Sequence, residues 1–236
     1  MNFAPSSTFA IPSRQYEPHQ AMSVAAKRLR GKEQRRNRII SAAERVFFSR
    51  GIETATMDEI AEVADISKGL LYVYFKSKED LYNAVCYRGL RMLRQSFLRA
   101  IAQHDTGMQR IRAIGYTYVT FAQRFPDYFS TIVYQAAQEA GDEPDSYAAA
   151  SETERDKILG LVADAIRLGI EDHSIRPDID PMEAAVMLWG QMHGVIQVAV
   201  LKNIQERYQL DFDSLMRFAF EFVTDALKPH EVFSST

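Results

Sequence analysis

Residues 54–82 have the sequence TATMDEIAEVADISKGLLYVYFKSKEDLY, in which the capping residues predict three consecutive helices. Thr56 and Glu59 have the T-x-x-E spacing of a capping box, so we expect the first helix to begin directly after Thr56. Ser67 is placed to cap a second helix and Ser77 a third, because a serine side chain can accept a hydrogen bond from the first turn of a helix. Only short connections separate the three helices.

The first two of these helices have the lengths and the connection of a helix-turn-helix. In this motif two short helices are joined by a turn of about three or four residues, and the second helix can enter the major groove of DNA. Apolar residues recur at helical spacing on one side of each helix, which predicts a shared core. They are Met57, Ile60, Ala61 and Ala64 in the first helix and Leu70, Leu71, Tyr74 and Phe75 in the second.

Positive charge is concentrated just before this motif. Between Lys27 and Arg50 the sequence has nine basic and two acidic residues, whereas the whole chain of 236 residues has a net charge of −3. Such a local excess indicates a nucleic-acid partner, although a solvated basic helix face is the alternative. We expect the stretch from Lys27 to Arg38 to lead into a helix that ends at Arg50, and Arg36 is a candidate DNA contact.

Two segments resemble a known family. Residues 67–81 are similar to the recognition segment of tetracycline-repressor-type (TetR family) transcriptional regulators, and residues 39–52 are similar to the first helix of the same domain. The resemblance runs from about Arg36 to Leu81, and it is specific because the caps, the apolar positions and a Tyr-x-Tyr-Phe element occur in the same order. It implies an all-α protein, in which an N-terminal three-helix helix-turn-helix DNA-binding domain precedes a larger helical ligand-binding and dimerisation domain.

Three residues of the second helix have chemistry that suits DNA. Lys68 brings a cation to the first turn, Gly69 allows the backbone to approach DNA closely, and Tyr72 can donate a hydrogen bond to a phosphate. The resemblance adds Ser67, Leu70, Val73 and Tyr74 to the DNA-facing set, and Thr56 and Lys78 as phosphate contacts. Many relatives have threonine where this chain has Leu70, so a base contact there would be apolar. Tyr74 suits a core position equally well.

The rest of the chain is predicted to be helical. We divide the sequence into a disordered arm with a basic end (1–31), the DNA-binding domain (32–80) and the larger helical domain (81–236). Prolines and polar residues make the arm a poor helix former. In the larger domain we predict helices over about 78–104, 108–124, from Pro126 onward, 146–171, 181–203 and 213–228, with a loop at 141–144.

Aromatic residues and methionines are frequent in the larger domain. Such side chains usually form a core, but the resemblance implies a small-molecule pocket in this domain, in which polar groups on apolar helices orient a ligand. His193 also fits the alternative of a core histidine. The candidate pocket residues are Tyr116, Phe121, Tyr134, Trp189, Gln191 and His193.

The predicted helix around residues 182–200 is apolar on nearly all sides, so all of its sides have to be buried. The last helix carries a second apolar stripe. Two such helices from each of two chains would form an isologous four-helix interface, which resembles the family's dimer. The residues expected in this interface are Gly190, Gly194, Val198, Phe218 and Phe222.

Several functional classes have no support in the sequence. There is one cysteine, Cys86, and the spacings of a metal site, a phosphate-binding glycine loop or a nucleophile elbow are absent. We therefore expect no enzyme and no cofactor. No apolar run reaches the length of a membrane span and no secretory signal is recognisable, so we expect a cytoplasmic protein without a membrane partner.

Our working hypothesis is a homodimeric regulator, most simply a repressor, that binds a near-palindromic double-stranded DNA operator. A small apolar effector would release it. Two alternatives stay open: a helical ligand-binding or adaptor protein without DNA binding, and an enzyme on a helical scaffold.

Overall fold

The computed structural model describes residues 24–136, 146–199 and 202–229. Within these ranges the chain forms ten α-helices and no β-strand, which confirms the predicted all-α class. The helices are α1 (Val24–Arg50), α2 (Met57–Val63), α3 (Lys68–Tyr74), α4 (Lys78–Ile101), α5 (Gly107–Arg124), α6 (Pro126–Ala136), α7 (Tyr147–Glu171), α8 (Pro181–Ala199), α9 (Lys202–Tyr208) and α10 (Phe212–Leu227). None of them is both long and apolar enough to cross a membrane.

Contacts divide the chain into two units, one that ends at Arg38 and one that begins at Ile39. The described part of the first unit, residues 24–38, is helical, so the basic residues from Lys27 belong to α1 and not to an irregular arm. Arginine, lysine and alanine make up nine of these fifteen residues, and all three are good helix formers. Residues 1–23, the remainder of the predicted arm, lie outside the described residues.

The predicted caps of the helix-turn-helix are present. The Thr56 hydroxyl accepts a hydrogen bond from the Glu59 backbone N–H (3.3 Å), and the Glu59 carboxylate accepts one from the Thr56 N–H (3.1 Å). Ser67 caps α3 and Ser77 caps α4 in the same way. Between α2 and α3 the chain reverses at Asp65, which has a φ of 54°. Aspartate tolerates this left-handed conformation better than most residues with side chains.

The helix-turn-helix is held by a core of its own in the second unit. The second half of α1, helices α2 and α3, and the first turns of α4 contribute to it. Burying each large apolar side chain stabilises the fold by about 1.5–3 kcal/mol. The largest fully buried members are Ile39, Ile60, Leu71, Phe75, Leu81 and Val85.

A second core lies among α4, α5, α6, α7, α8 and α10. Helices α5 and α7 approach each other closely at Gly107 and Gly169, where a Cβ atom on Gly107 would overlap with the backbone of α7. The residues after α7 cap α5 at the same place: Asp172 accepts a hydrogen bond from the Gly107 N–H (2.7 Å) and Ser174 from the Met108 N–H (3.1 Å). This contact fixes the two helices relative to each other.

Most predicted helix ends agree with the structure within three residues. The helix expected over 181–203 is present from Pro181 to Ala199, and α9 begins at Lys202. Residues 200 and 201, between these two helices, lie outside the described residues. The predicted loop at 141–144 lies outside the described residues.

The close approach of α5 and α7 predicts that Gly107→Ala destabilises the protein. The added Cβ would overlap with the Gly169 N and Ala165 O backbone atoms, which cannot rotate away as a side chain would. We expect a loss of about 1–3 kcal/mol in the free energy of unfolding, measured by urea titration.

The matched control for this test is Gly160→Ala in the interior of α7. Apart from the adjoining residues and backbone of α7 itself, no atom of the described residues lies within 4 Å of a Cβ built at this position. Alanine should therefore stabilise the helix by about 0.5–1 kcal/mol. A Gly107→Ala variant as stable as the wild type would show that the two helices can separate at no cost.

Candidate nucleic-acid interface and internal cavity

Helix α3 exposes one side and buries the other. Leu71 and Phe75 are fully buried, whereas Tyr72 is 45% and Val73 76% exposed. Tyr72 and Val73 therefore place two adjacent, largely apolar side chains on the exposed side of α3. Among the predicted DNA contacts, those exposed are Thr56, Ser67, Lys68, Gly69, Tyr72 and Val73, and those half-buried are Leu70, Tyr74 and Lys78.

Lys68 points away from the core and forms an exposed ion pair. Its ammonium group lies 2.9 Å from a carboxylate oxygen of Asp58 on α2. The hydrogen bond and the negative charge of Asp58 raise the pKa of Lys68, so the side chain is a cation at neutral pH. Exposed pairs of this kind contribute little to stability, and a DNA phosphate can therefore replace Asp58 easily.

The other predicted contacts lie on different elements. Lys78 is in the first turn of α4, and its ammonium group donates a hydrogen bond to the backbone C=O of Glu53 (3.2 Å). Arg36 belongs to the first unit and is half-buried on α1.

Glu44 connects the helix-turn-helix to the helices behind it. The hydroxyl of Tyr128 on α6 donates a hydrogen bond to the Glu44 carboxylate (2.6 Å), and the guanidinium of Arg88 on α4 donates another (2.8 Å). Burial and the hydrogen bond to Glu44 raise the pKa of the Tyr128 hydroxyl, so it stays protonated and remains a donor. Tyr134 on α6 makes a second link, to Glu53 (3.2 Å).

A cavity of about 400 Å³ lies among α4, α5, α6, α7, α8 and α10. Its lining is mostly aliphatic and aromatic. The polar and ionisable groups are few, and they come from different helices: Arg112 and Tyr118 from α5, Arg155 from α7, Trp189 and His193 from α8, and Thr224 from α10.

Two of the six predicted pocket residues, Trp189 and His193, line this cavity, and four do not. On α5 the cavity is lined by positions 111, 112, 114, 115 and 118, and Tyr116 lies on another side of the helix. Phe121 lies on the lining side but one turn beyond Tyr118, where it does not reach the cavity. Tyr116 is instead exposed and packs against the outside of Phe220, and Phe121 is buried in the core.

The other two predicted pocket residues point elsewhere. Tyr134 contacts Glu53, and Gln191 lies on a different side of α8 from the cavity. Aromatic content alone did not distinguish the cavity face of each helix from its other faces.

His193 and Tyr118 form a polar chain at the cavity wall. The Tyr118 hydroxyl lies 3.0 Å from His193 Nδ1, and the Gln197 side-chain nitrogen lies 3.2 Å from His193 Nε2. Burial lowers the pKa of His193 and raises that of Tyr118, so both groups are neutral at neutral pH. The pair offers hydrogen bonds, but no charge, to a molecule in the cavity.

Sequence reasoning missed Arg155, although a signal was present. Arg155, Ile158, Leu159 and Val162 have the spacing of one helix face, so the arginine occupies an apolar stripe on α7. A charged residue within such a stripe indicates either a buried partner or a functional position.

The residues predicted for a homodimer interface are exposed. Phe218 and Phe222 on α10 are 64% and 57% exposed, and their rings stack on each other at 6.2 Å. Gly190, Gly194 and Val198 are exposed on α8, which also exposes Met182, Val186 and Met187.

Two family models match the chain. The model described as bacterial regulatory proteins of the tetR family matches residues 39–85, and the one described as tetracyclin repressor-like C-terminal domain matches residues 107–212. The first match covers the helix-turn-helix and the first turns of α4. The second covers α5 to α9 and includes most of the residues that line the cavity.

Individual proteins show the same similarity. The chain is 24% identical over 183 residues to the uncharacterised HTH-type transcriptional regulator YhgD of Bacillus subtilis, which covers 74% of this chain and 94% of that protein. It is 40% identical over 82 residues to the HTH-type transcriptional activator FasR of Mycolicibacterium smegmatis, but this covers only 35% of this chain and 37% of FasR.

Among solved structures, the transcriptional regulator FadR of Bacillus subtilis in complex with stearoyl-CoA superposes with a TM-score of 0.64. The alignment covers 80% of this chain and 98% of FadR at 18% identity, a likeness of fold. The two family models match the chain in the same order as its two cores. The N-terminal model covers the core of the helix-turn-helix, and the C-terminal model covers much of the core around the cavity. The chain therefore belongs to the TetR family of DNA-binding transcriptional regulators, which are transcription factors and not enzymes.

Proposed function

We propose that this regulator is a homodimeric repressor that binds a near-palindromic operator through α3 of each protomer. A small and largely apolar effector in the cavity releases it from DNA. The proposal depends most on one observation: α4 and α6 each contribute side chains to the cavity and also contact the helix-turn-helix.

The exposed side of α3 supports the proposed contacts with DNA. Lys68 and Tyr72 supply a cation and a hydroxyl for phosphates or base edges, and Gly69 lets the backbone come close. Val73 is the most exposed apolar residue of this helix, and it suits contact with a thymine methyl group. Ser67, Leu70, Tyr74, Thr56, Lys78 and Arg36 complete the proposed set.

The exposed apolar residues of α8 and α10 support a homodimer. Phe218 and Phe222 form an aromatic pair, and the described residues leave more than half of each side chain exposed. Apart from the adjoining residues and backbone of α8 itself, no described atom lies within 4 Å of a Cβ built at Gly190 or Gly194, so a second helix can approach there. An isologous pairing would place two α3 helices on half-sites roughly 34 Å apart on one face of DNA.

The cavity supports a small effector. Its volume lies within the range of about 300–1,000 Å³ that is usual for small-molecule sites, and its lining is mostly apolar. FadR of Bacillus subtilis, which has the same fold, was solved with stearoyl-CoA, a molecule with a long apolar chain.

Release follows from how the cavity and the helix-turn-helix are connected. Ile132 and Val133 of α6 line the cavity, while Tyr128 of the same helix holds Glu44 of α1. A ligand that displaces α6 or α4 would therefore move the helix-turn-helix of each protomer. The distance between the two α3 helices would then no longer match the operator.

Activation is a second candidate for the direction of regulation. FasR, which is 40% identical to this chain over 82 residues, is named as an activator. A reporter gene behind the natural promoter distinguishes the two directions: deletion of the regulator raises expression if it represses and lowers expression if it activates.

We predict that Lys68→Ala and Tyr72→Ala each weaken operator binding about tenfold or more, because each removes a phosphate or base contact in both half-sites. Binding would be measured by fluorescence anisotropy at fixed salt, on an operator selected from random double-stranded DNA. Tyr72→Phe keeps the ring but removes the hydroxyl, so it shows which of the two contributes to the affinity for DNA.

Lys228→Ala is the control for these variants, since Lys228 also forms an exposed ion pair with an aspartate, Asp225 (2.8 Å), but lies at the end of α10. If both the Lys68 and the Tyr72 variants bound the operator with wild-type affinity, α3 would be excluded as the helix that contacts DNA.

We predict that Phe222→Glu converts the dimer to a monomer and abolishes operator binding. A carboxylate without a partner is strongly unfavourable in an apolar interface, and a monomer would hold only one half-site. Sedimentation velocity would measure the oligomeric state.

Leu98→Glu on α4 is the matched control, because Leu98 is also an exposed apolar residue but lies outside α8 and α10. A monomeric wild type, or a Phe222→Glu variant that stays dimeric, would place the interface on other helices.

A further inference from the structure

Arg155 is an unusual member of the cavity lining. Its Nε and Nη2 atoms are buried, yet they meet no hydrogen-bond partner among the residues that the structure describes. Arginine is not deprotonated in proteins, so the side chain brings a full positive charge to this position. A buried cation without a partner is strongly unfavourable, because it has lost its hydration and gained nothing in return.

The acidic residue next to Arg155 does not neutralise it. Glu154 points away, where its carboxylate accepts hydrogen bonds from Arg94 Nε (2.6 Å) and Lys157 Nζ (3.0 Å). Cys86, which lies near the guanidinium, supplies no negative charge either: burial raises the pKa of its thiol to about 11, so the group is neutral. Its Sγ lies 3.5 Å from Gln135 Oε1, to which the thiol donates.

We propose that the effector is an amphipathic anion, with a carboxylate or phosphate that pairs with Arg155 and an apolar chain that fills the rest of the cavity. This inference rests on the proposed function, because it takes the cavity as the effector site. A guanidinium presents two parallel N–H groups to a carboxylate or phosphate, which satisfies both orphaned nitrogens at once.

The size of the cavity limits the apolar chain. At about 30 Å³ for each non-hydrogen atom, the share of a water molecule in the liquid, a volume of about 400 Å³ holds on the order of a dozen such atoms. A saturated chain of about ten carbons with an anionic head group has this size. Its other contacts would be with the aliphatic and aromatic side chains from α4, α5 and α8.

Trp189 makes the inference directly testable. It is the only tryptophan in the sequence and it lines the cavity, so its fluorescence reports what enters. Three probes would be titrated below their micelle concentrations: decanoate, decyl phosphate and the uncharged decanol. We expect one or both anions to bind the wild type at least tenfold more tightly than decanol, and the stronger of the two identifies the head group.

Arg155→Met should remove this preference, because methionine keeps the apolar bulk of the side chain without the charge. Binding of decanol should stay the same or improve. Arg167→Met is the matched control: Arg167 is on the same helix but is exposed and pairs with Asp164. It should leave the affinity for all three probes unchanged.

The melting temperature of the ligand-free protein provides an independent measurement. Arg155→Met should raise it, because the variant no longer buries a cation without a partner, whereas an arginine that merely supported the fold would lower it when replaced. If Arg155→Met does not fold, Arg155→Gln serves in its place for binding.

Each result decides between distinct conclusions. Equal binding of decanol and the anions to the wild type, or a preference that persists in Arg155→Met, overturns the anionic head group and leaves an uncharged apolar effector. No fluorescence response to any of the three probes overturns the apolar effector of the proposed function as well.

Discussion

Helix α4 is shared by two cores, and the arrangement of the second unit depends on it. Its first turns place Leu81 and Val85 in the core of the helix-turn-helix, and its later turns place Leu90 and Phe97 in the core around the cavity. With 24 residues it is about 36 Å long. Both ends of α4 are packed in a core, so a displacement of one end also moves the other.

Two adjacent charged residues on α7, Glu154 and Arg155, have different surroundings because they point to different sides of the helix. Glu154 and Arg155 are adjacent in sequence but point in directions about 100° apart, as successive helix positions do. Burial disfavours the charge of Glu154, but hydrogen bonds from Lys157 and Arg94 outweigh this effect and lower its pKa, so the carboxylate joins α7 to α4. Arg155 receives no such compensation from the described residues. The Glu154 carboxylate therefore connects two helices of the bundle, whereas the guanidinium of Arg155, in the cavity lining, lacks partners among the described residues for two of its nitrogens.

The capping residues predicted where helices begin, but no sequence pattern predicted the contacts between distant helices. The caps at Thr56, Ser67 and Ser77 are decided by a few neighbouring atoms, so the sequence was sufficient to place α2, α3 and α4. The direction of Tyr134 depends on its contact with Glu53, a residue far away in sequence, which no local pattern encodes. Arg155 is an intermediate case, because its place in an apolar stripe was visible but its lack of a partner was not. The proposed roles of the DNA-facing, cavity and interface residues stay predictions.

Helix α8 separates the cavity from the surface proposed to meet a second protomer. Trp189 lines the cavity and is also 43% exposed, and the next residue, Gly190, is exposed on the outer side. In a dimer built on this surface, the wall of one binding site would lie directly against the wall of the other. Occupancy of one site would then change the affinity of its twin, and linkage requires the effect to be reciprocal. Such a dimer would respond to its effector over a range of concentrations that differs from that of two independent sites.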